Sequence, residues 1–211
     1  MPTGPTSVAF TLEPAPELGT VAGQTVEVAF GNACTGTADF DTKGYWHNRN
    51  GLSELTQADI DHANGLAPYS QPSSYFDDGD EPFDGLFSNG EPVSASLGNS
   101  GELIAPSGSP KAEVSQFLVD ANAGGDPREQ LAQQLLAFLF NTLHRLDDPA
   151  AAIELPAGGF ISAAQLVSDA IAIWESGTAA EQVEMKTLLD GFNNNDAVPF
   201  IHFNPCAVVY P

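Results

Sequence analysis

"DPREQLAQQLLAFLFNTLHRL", Asp126 to Leu146, is the stretch that sets the architecture. Asp126 offers an N-cap, Pro127 takes the first helical position and Glu129 the third, where a carboxylate reaches back to the open amides of the first turn. Leu131, Leu135, Phe138, Leu139 and Leu143 then recur at three- and four-residue spacings, giving a helix to about Leu146 with an apolar face. The longest apolar run, "LLAFLF" (Leu135 to Phe140), lies inside this pattern. It falls well short of the roughly 18 consecutive apolar residues that a membrane span needs.

Capping chemistry marks further helices on both sides. Ser162-Ala-Ala-Gln165 opens a helix that should end before Gly177, and Thr178-Ala-Ala-Glu181 opens another that should end before Gly191. With the first helix these should form a packed body, sharing Ile171, Ile173, Trp174, Val183, Leu188 and Leu189. Upstream, Thr56-Gln-Ala-Asp59 predicts a short helix over 57–63, and "KAEVSQFLVDANAGG" predicts one from 112 to 123, stopped by Gly124.

Strand patterns lie toward the two ends. "SVAFTL" (7–12) and "TVEVAF" (25–30) alternate apolar and polar side chains, as do "VPFIHF" (198–203) and "AVVY" (207–210). The expected fold class is therefore α+β, with a body of four to five helices and a small antiparallel β element built from N- and C-terminal strands. The expected organisation is a strand region over 1–33, a mainly helical domain over 34–206 and a strand tail over 207–211. Residues 65–110 hold much of the Gly, Pro, Ser and Asp, but Tyr69, Tyr75, Phe76, Phe83 and Phe87 need burial or a partner. That segment reads as an ordered, irregular excursion. No internal repeat is present, which argues against solenoids and propellers.

Charge narrows the partners. Twenty-eight Asp+Glu against six Lys+Arg give a net charge of −22. Such a field repels nucleic-acid backbones and anionic membranes. It suits a salt-rich, halophilic setting, where ions screen the self-repulsion. It also offers oxygen ligands to hard cations, and calcium is the expected one. "YFDDGDEPFDG" places Asp77, Asp78, Asp80, Glu81 and Asp84 in one turn-rich loop, without the spacing of an EF-hand. The alternative for this loop is a solvated acidic turn whose short side chains cap local backbone.

Cys34 and Cys206 are the two cysteines, 172 positions apart. Two readings stay open for them, a bridge closing nearly the whole chain and a pair of unpaired buried thiols. The loop-like surroundings "GNACTGT" and "NPCAVV" favour the bridge. A Cys34–His47 nucleophile pair, its ring oriented by Asp39 or Asp41, would need a free thiol. The other reading of "CTGTADFDTKGYWHNRN" (34–50) is architectural, with Tyr45 and Trp46 as an aromatic corner of the core and the charged residues facing water. The histidines (His47, His62, His144, His202) fall at no zinc-like spacing, and no phosphate-binding or nucleophile-elbow motif occurs. No catalytic residues are assigned.

Taken in order, "CTGT…TKGYWHN", "LAQQLLAFLFN", "LLDGFNNN" and the closing Cys206 resemble an uncharacterised family of bacterial secreted and cell-surface domains. Its members carry a cysteine before T-Q-G-Y/F-W-K-N-H, then L-A-x-Q-L-I-A-A-x-L-N, then L-D-x-Y/F-N-N-G and a terminal cysteine. The resemblance covers roughly residues 34–206 and implies an extracellular location, a Cys34–Cys206 pair and a largely helical body. Lys43, His47 and Arg49 stand where the family has Gln, Lys and His. The N-terminus lacks the basic-then-apolar pattern of a signal peptide.

The functional expectation is a non-enzymatic extracellular or cell-surface module that is structural or adhesive. It would assemble with itself as residues 7–12 add to a neighbour's sheet, forming an open filament. The alternatives are a calcium-dependent carbohydrate-binding module and a secreted polysaccharide hydrolase, with polysaccharide as partner and the aromatics of the 69–87 loop as sugar platforms.

Overall fold

The computed structural model describes residues 34–70, 96–97, 103–104, 110–119, 125–146 and 151–202. In chain order these form β1 (Cys34–Ala38), α1 (Lys43–His47), α2 (Arg49–Glu54), α3 (Gln57–Asn64), β2 (Ser96–Leu97), β3 (Leu103–Ile104), α4 (Pro110–Val119) and α5 (Pro127–His144). Then follow β4 (Ala152–Glu154), β5 (Phe160–Ser162), α6 (Ala163–Ser176), α7 (Ala179–Asn193) and β6 (Val198–His202). The class is α+β, with seven helices and a four-stranded antiparallel sheet among the described residues. The strands predicted at 7–12, 25–30 and 207–210, the loop over 71–95 and the proposed boundaries at 33 and 206 lie outside the described residues.

Helix α5 is the axis of the body. Asp126 caps it, its side chain accepting from the Arg128 amide at 2.9 Å, and Pro127 occupies the first turn. Every residue from Leu131 to Thr142 is buried. The sequence pattern places one apolar face on this helix, but in the fold other elements cover it all round. A helix apolar on several sides is stable only in that position. Helix α7 lies along α5 through Met185, Leu189 and Phe192, which follow one another at four and three residues. That choice of face corrects the expected core. Val183 is two residues, about 200°, away from Met185 and is 45 % exposed. Ile171, Ile173 and Leu188 only flank the core, whereas Trp174 and Leu189 are within it. Leu143 is also exposed, because the last turn of α5 directs Asn141 and Arg145 toward α1 and α2.

Helix ends follow local chemistry. Thr56 and Thr178 form full capping boxes with Asp59 and Glu181, and the Ser162 hydroxyl accepts from the Gln165 amide at 3.1 Å. Gly177 ends α6 as expected, but α7 runs through Gly191 to Asn193. Gly191 does not stop the helix because its φ is not left-handed, and Asn194 becomes the C-cap.

The sheet order is β1-β6-β4-β5. β1 pairs with β6 from Cys34↔His202 to Ala38↔Val198, so the two ends of the described region meet. "CTGTA" is therefore strand and not the loop its Gly and Thr content suggested. Val198 and Phe200 point into the core, and the Phe200 ring lies over Gly36. A Cβ on Gly36 would come within 2.6 Å of Phe200 Cζ, so the glycine makes room for the ring. The β4–β5 hairpin was not expected from the sequence. Pro156 starts its turn, the Gly158 amide donates to Leu155 O at 2.8 Å, and Gly158 and Gly159 take φ of 88° and 87°.

Candidate functional site

The segment from Asp41 to Asp59 is held against the C-terminal half of α5. Thr42 caps α1, with the Tyr45 amide donating to its hydroxyl at 3.0 Å, and Asn48 ends α1 while capping α2. The two helices can turn so sharply because residue 51 has no side chain. A Cβ there would be 2.5 Å from Tyr45 O and 2.6 Å from Trp46 Cα. This turn delivers Trp46 into the core, where it is fully buried beside Phe140 and His144, with Tyr45 edge-on to it.

A buried indole needs an acceptor, and Asn141 supplies it. Trp46 Nε1–H donates to Asn141 Oδ1 at 3.1 Å, and the Asp41 amide donates to the same oxygen at 2.8 Å. The Asn141 Nδ2 group donates to Asp41 O at 2.8 Å and to Asn193 Oδ1 at 3.0 Å. All four positions of this fully buried amide are thus used. The network continues across α5. Asn193 Nδ2 donates to Gln134 O at 3.0 Å and to Gln134 Oε1 at 2.9 Å, and Gln134 Nε2 donates to Asp190 Oδ1 at 2.9 Å. One hydrogen-bonded line therefore joins the corner to α5 and α7.

Arg145 closes the outer edge. Its Nε and Nη2 lie 2.7 Å from Asp41 Oδ2, and its Nη1 lies 2.7 Å from Glu54 Oε2. The guanidinium sits 5.0 Å from the Trp46 ring centroid and 5.6 Å from that of Tyr45. The Tyr45 hydroxyl donates to Glu54 Oε1. Hydrogen bonding from Arg145 holds the Glu54 carboxyl below its usual range, although desolvation pushes the other way. The hydrogen bond to Glu54 in turn raises the Tyr45 phenol, and Glu54 followed by Asp41 raises Arg145. Beside them, His144 Nε2 is 3.2 Å from Asp59 Oδ2 without the alignment of a hydrogen bond. The same Asp59 oxygen accepts from the Thr56 amide and hydroxyl at 2.7 and 2.8 Å. Lys43 Nζ donates to Gln133 Oε1 at 2.7 Å, Gln133 Nε2 donates to Phe117 O at 2.8 Å, and burial lowers the Lys43 pKa.

Tyr45 and Trp46 sit at the centre of this arrangement. The charged residues of the segment do not all face water, since Asp41 and Lys43 are half-buried and engaged. Asp41 binds Arg145 and, through its backbone, Asn141, so the orienting role weighed for it beside His47 is taken up otherwise. Cys34 lies on β1 opposite His202. Cys206 and the acidic loop residues Asp77, Asp78, Asp80, Glu81 and Asp84 lie outside the described residues. Among the described residues, no three His, Cys, Asp or Glu gather as a metal-binding group. Sequence reasoning missed Asn141, Glu54 and Arg145. Their one signal was a lone polar residue, Asn141, after the apolar "LLAFLF", followed by a scarce arginine just past the helix end.

No protein-family model matches the chain, and no curated protein or solved structure does so either. No helix among the described residues is long and apolar enough to cross a membrane.

Proposed function

We propose that this chain is a non-enzymatic extracellular module with a structural or adhesive role, closed by a Cys34–Cys206 bridge and assembling through its N-terminal strand. The observation that carries the reading is the closed network around Trp46. Asn141 has all four of its hydrogen-bonding positions filled, and Arg145 takes both neighbouring carboxylates. The most motif-rich segment of the sequence thus serves to fasten α1 and α2 to α5. A catalytic acid or base needs a polarity or pKa suited to proton transfer near neutral pH. Hydrogen bonding from Arg145 lowers the Glu54 pKa, away from the raised value that a general acid needs near neutral pH.

Two measurements test this. Incubation with a panel of polysaccharides should release no new reducing ends, and light scattering should give a lower mass once residues 1–14 are removed. Sugar release that disappears in Glu54→Gln or Asp41→Asn would overturn the reading in favour of a hydrolase. An unchanged monomer with and without residues 1–14 would remove the assembly.

A further inference from the structure

The chain has six Lys+Arg, and the fold turns three of them inward. Arg145 is bound by Asp41 and Glu54, and Arg128 stacks 3.9 Å over the Trp174 ring while its Nε donates to Trp174 O at 2.9 Å. Lys43 directs its ammonium to Gln133. Meanwhile Asp61, Glu154, Glu175, Glu184 and Asp196 stand on exposed positions of α3, β4, α6, α7 and the turn before β6. With three of the six basic residues turned inward, few remain to offset these exposed carboxylates in a chain of net charge −22.

Folding gathers that charge into a smaller volume, so the folded state attracts more counterions than the unfolded chain. We infer that folding is coupled to the uptake of a diffuse cloud of monovalent cations, held at no discrete site, and that the fold strengthens steeply with salt. The length scale fits. Glu181 and Glu184, both exposed, stand one turn apart on α7, with their Cβ atoms roughly 5–6 Å from each other. They repel strongly when the Debye length is about 10 Å at 0.1 M salt, and hardly at all when it is about 3 Å at 1 M.

Thermal unfolding of the whole chain in 0.05, 0.5 and 2 M sodium chloride tests the inference. The expected rise in Tm is on the order of 10 °C across the series. A chain carrying Asp61→Asn, Glu154→Gln, Glu175→Gln and Glu184→Gln should melt higher than the parent at the lowest salt and meet it at the highest. Each substitution made singly should shift the low-salt Tm in the same direction. A flat series would overturn the inference. So would an equal rise in both chains, which would assign the effect to salting-out of apolar surface.

Discussion

Asn141 illustrates how much one side chain can specify. Its amide satisfies the indole of Trp46, the backbone of Asp41 and the side chain of Asn193 at once, in a position with no access to water. Replacing it by Leu keeps the volume but strands two donors, the Asp41 amide and Trp46 Nε1–H. Asn141→Leu should lose about 3 kcal/mol in urea unfolding, whereas Leu143→Asn, two positions on and already exposed, should change little. Glu54 sets a second prediction, in pH. Its folded pKa lies below the unfolded value, so its contribution is present above the ordinary carboxylate range and fades as pH falls through the folded pKa. With the side chain 32 % exposed, that contribution is under about 1 kcal/mol. The difference in Tm between the parent and Glu54→Gln should therefore narrow as pH falls from 7 to 3. At the alkaline end the sign reverses. The raised Tyr45 pKa means that its contribution is present below the ordinary phenol range and is lost as pH rises beyond it.

At the scale of elements, the α1–α2 corner depends on an absent side chain. A methyl on Gly51 would meet three backbone atoms, and backbone cannot move aside without opening the corner. Gly51→Ala should therefore destabilise by about 1–3 kcal/mol. Gly191→Ala, inside α7 with nothing within 4 Å of the added Cβ, should stabilise by about 0.5 kcal/mol. Denaturant midpoints of the two variants, moving in opposite directions, check both. The contrast also explains what the sequence could disclose. Asp126, Thr56, Ser162 and Thr178 were legible as helix starts because a cap is decided within four residues. The buried face of α7 was not legible, since Val183 and Met185 are equally apolar and only the position of α5 chooses between them. The β4–β5 hairpin escaped notice because strands of three residues are too short to display alternation. The corner was readable in Tyr45 and Trp46, but its partners Asn141 and Arg145 lie 95 to 104 positions away, beyond any local pattern.

Over the whole molecule, long-range pairing replaces local pattern as the source of order. β1 and β6 bring residue 34 beside residue 202, and the helices between them wrap α5. Cys206 follows His202 by four residues, so a sulfur bridge to Cys34 would lock the pairing that costs the most chain entropy to form. Its effect would fall on the unfolded chain, whose ends could no longer separate. The entropy model puts the gain near 5 kcal/mol for a loop of this length, an upper value. Urea is the denaturant to use, because guanidinium is itself a salt and would screen the −22 charge. The expected outcome is a midpoint that drops on adding reductant, together with a larger slope as the freed chain exposes more surface. Cys34→Ser/Cys206→Ser should match the reduced protein and ignore reductant. Two titratable thiols per chain in urea without reductant would show that the sulfurs are not joined. The β1–β6 ladder and the core would then have to hold the ends together unaided.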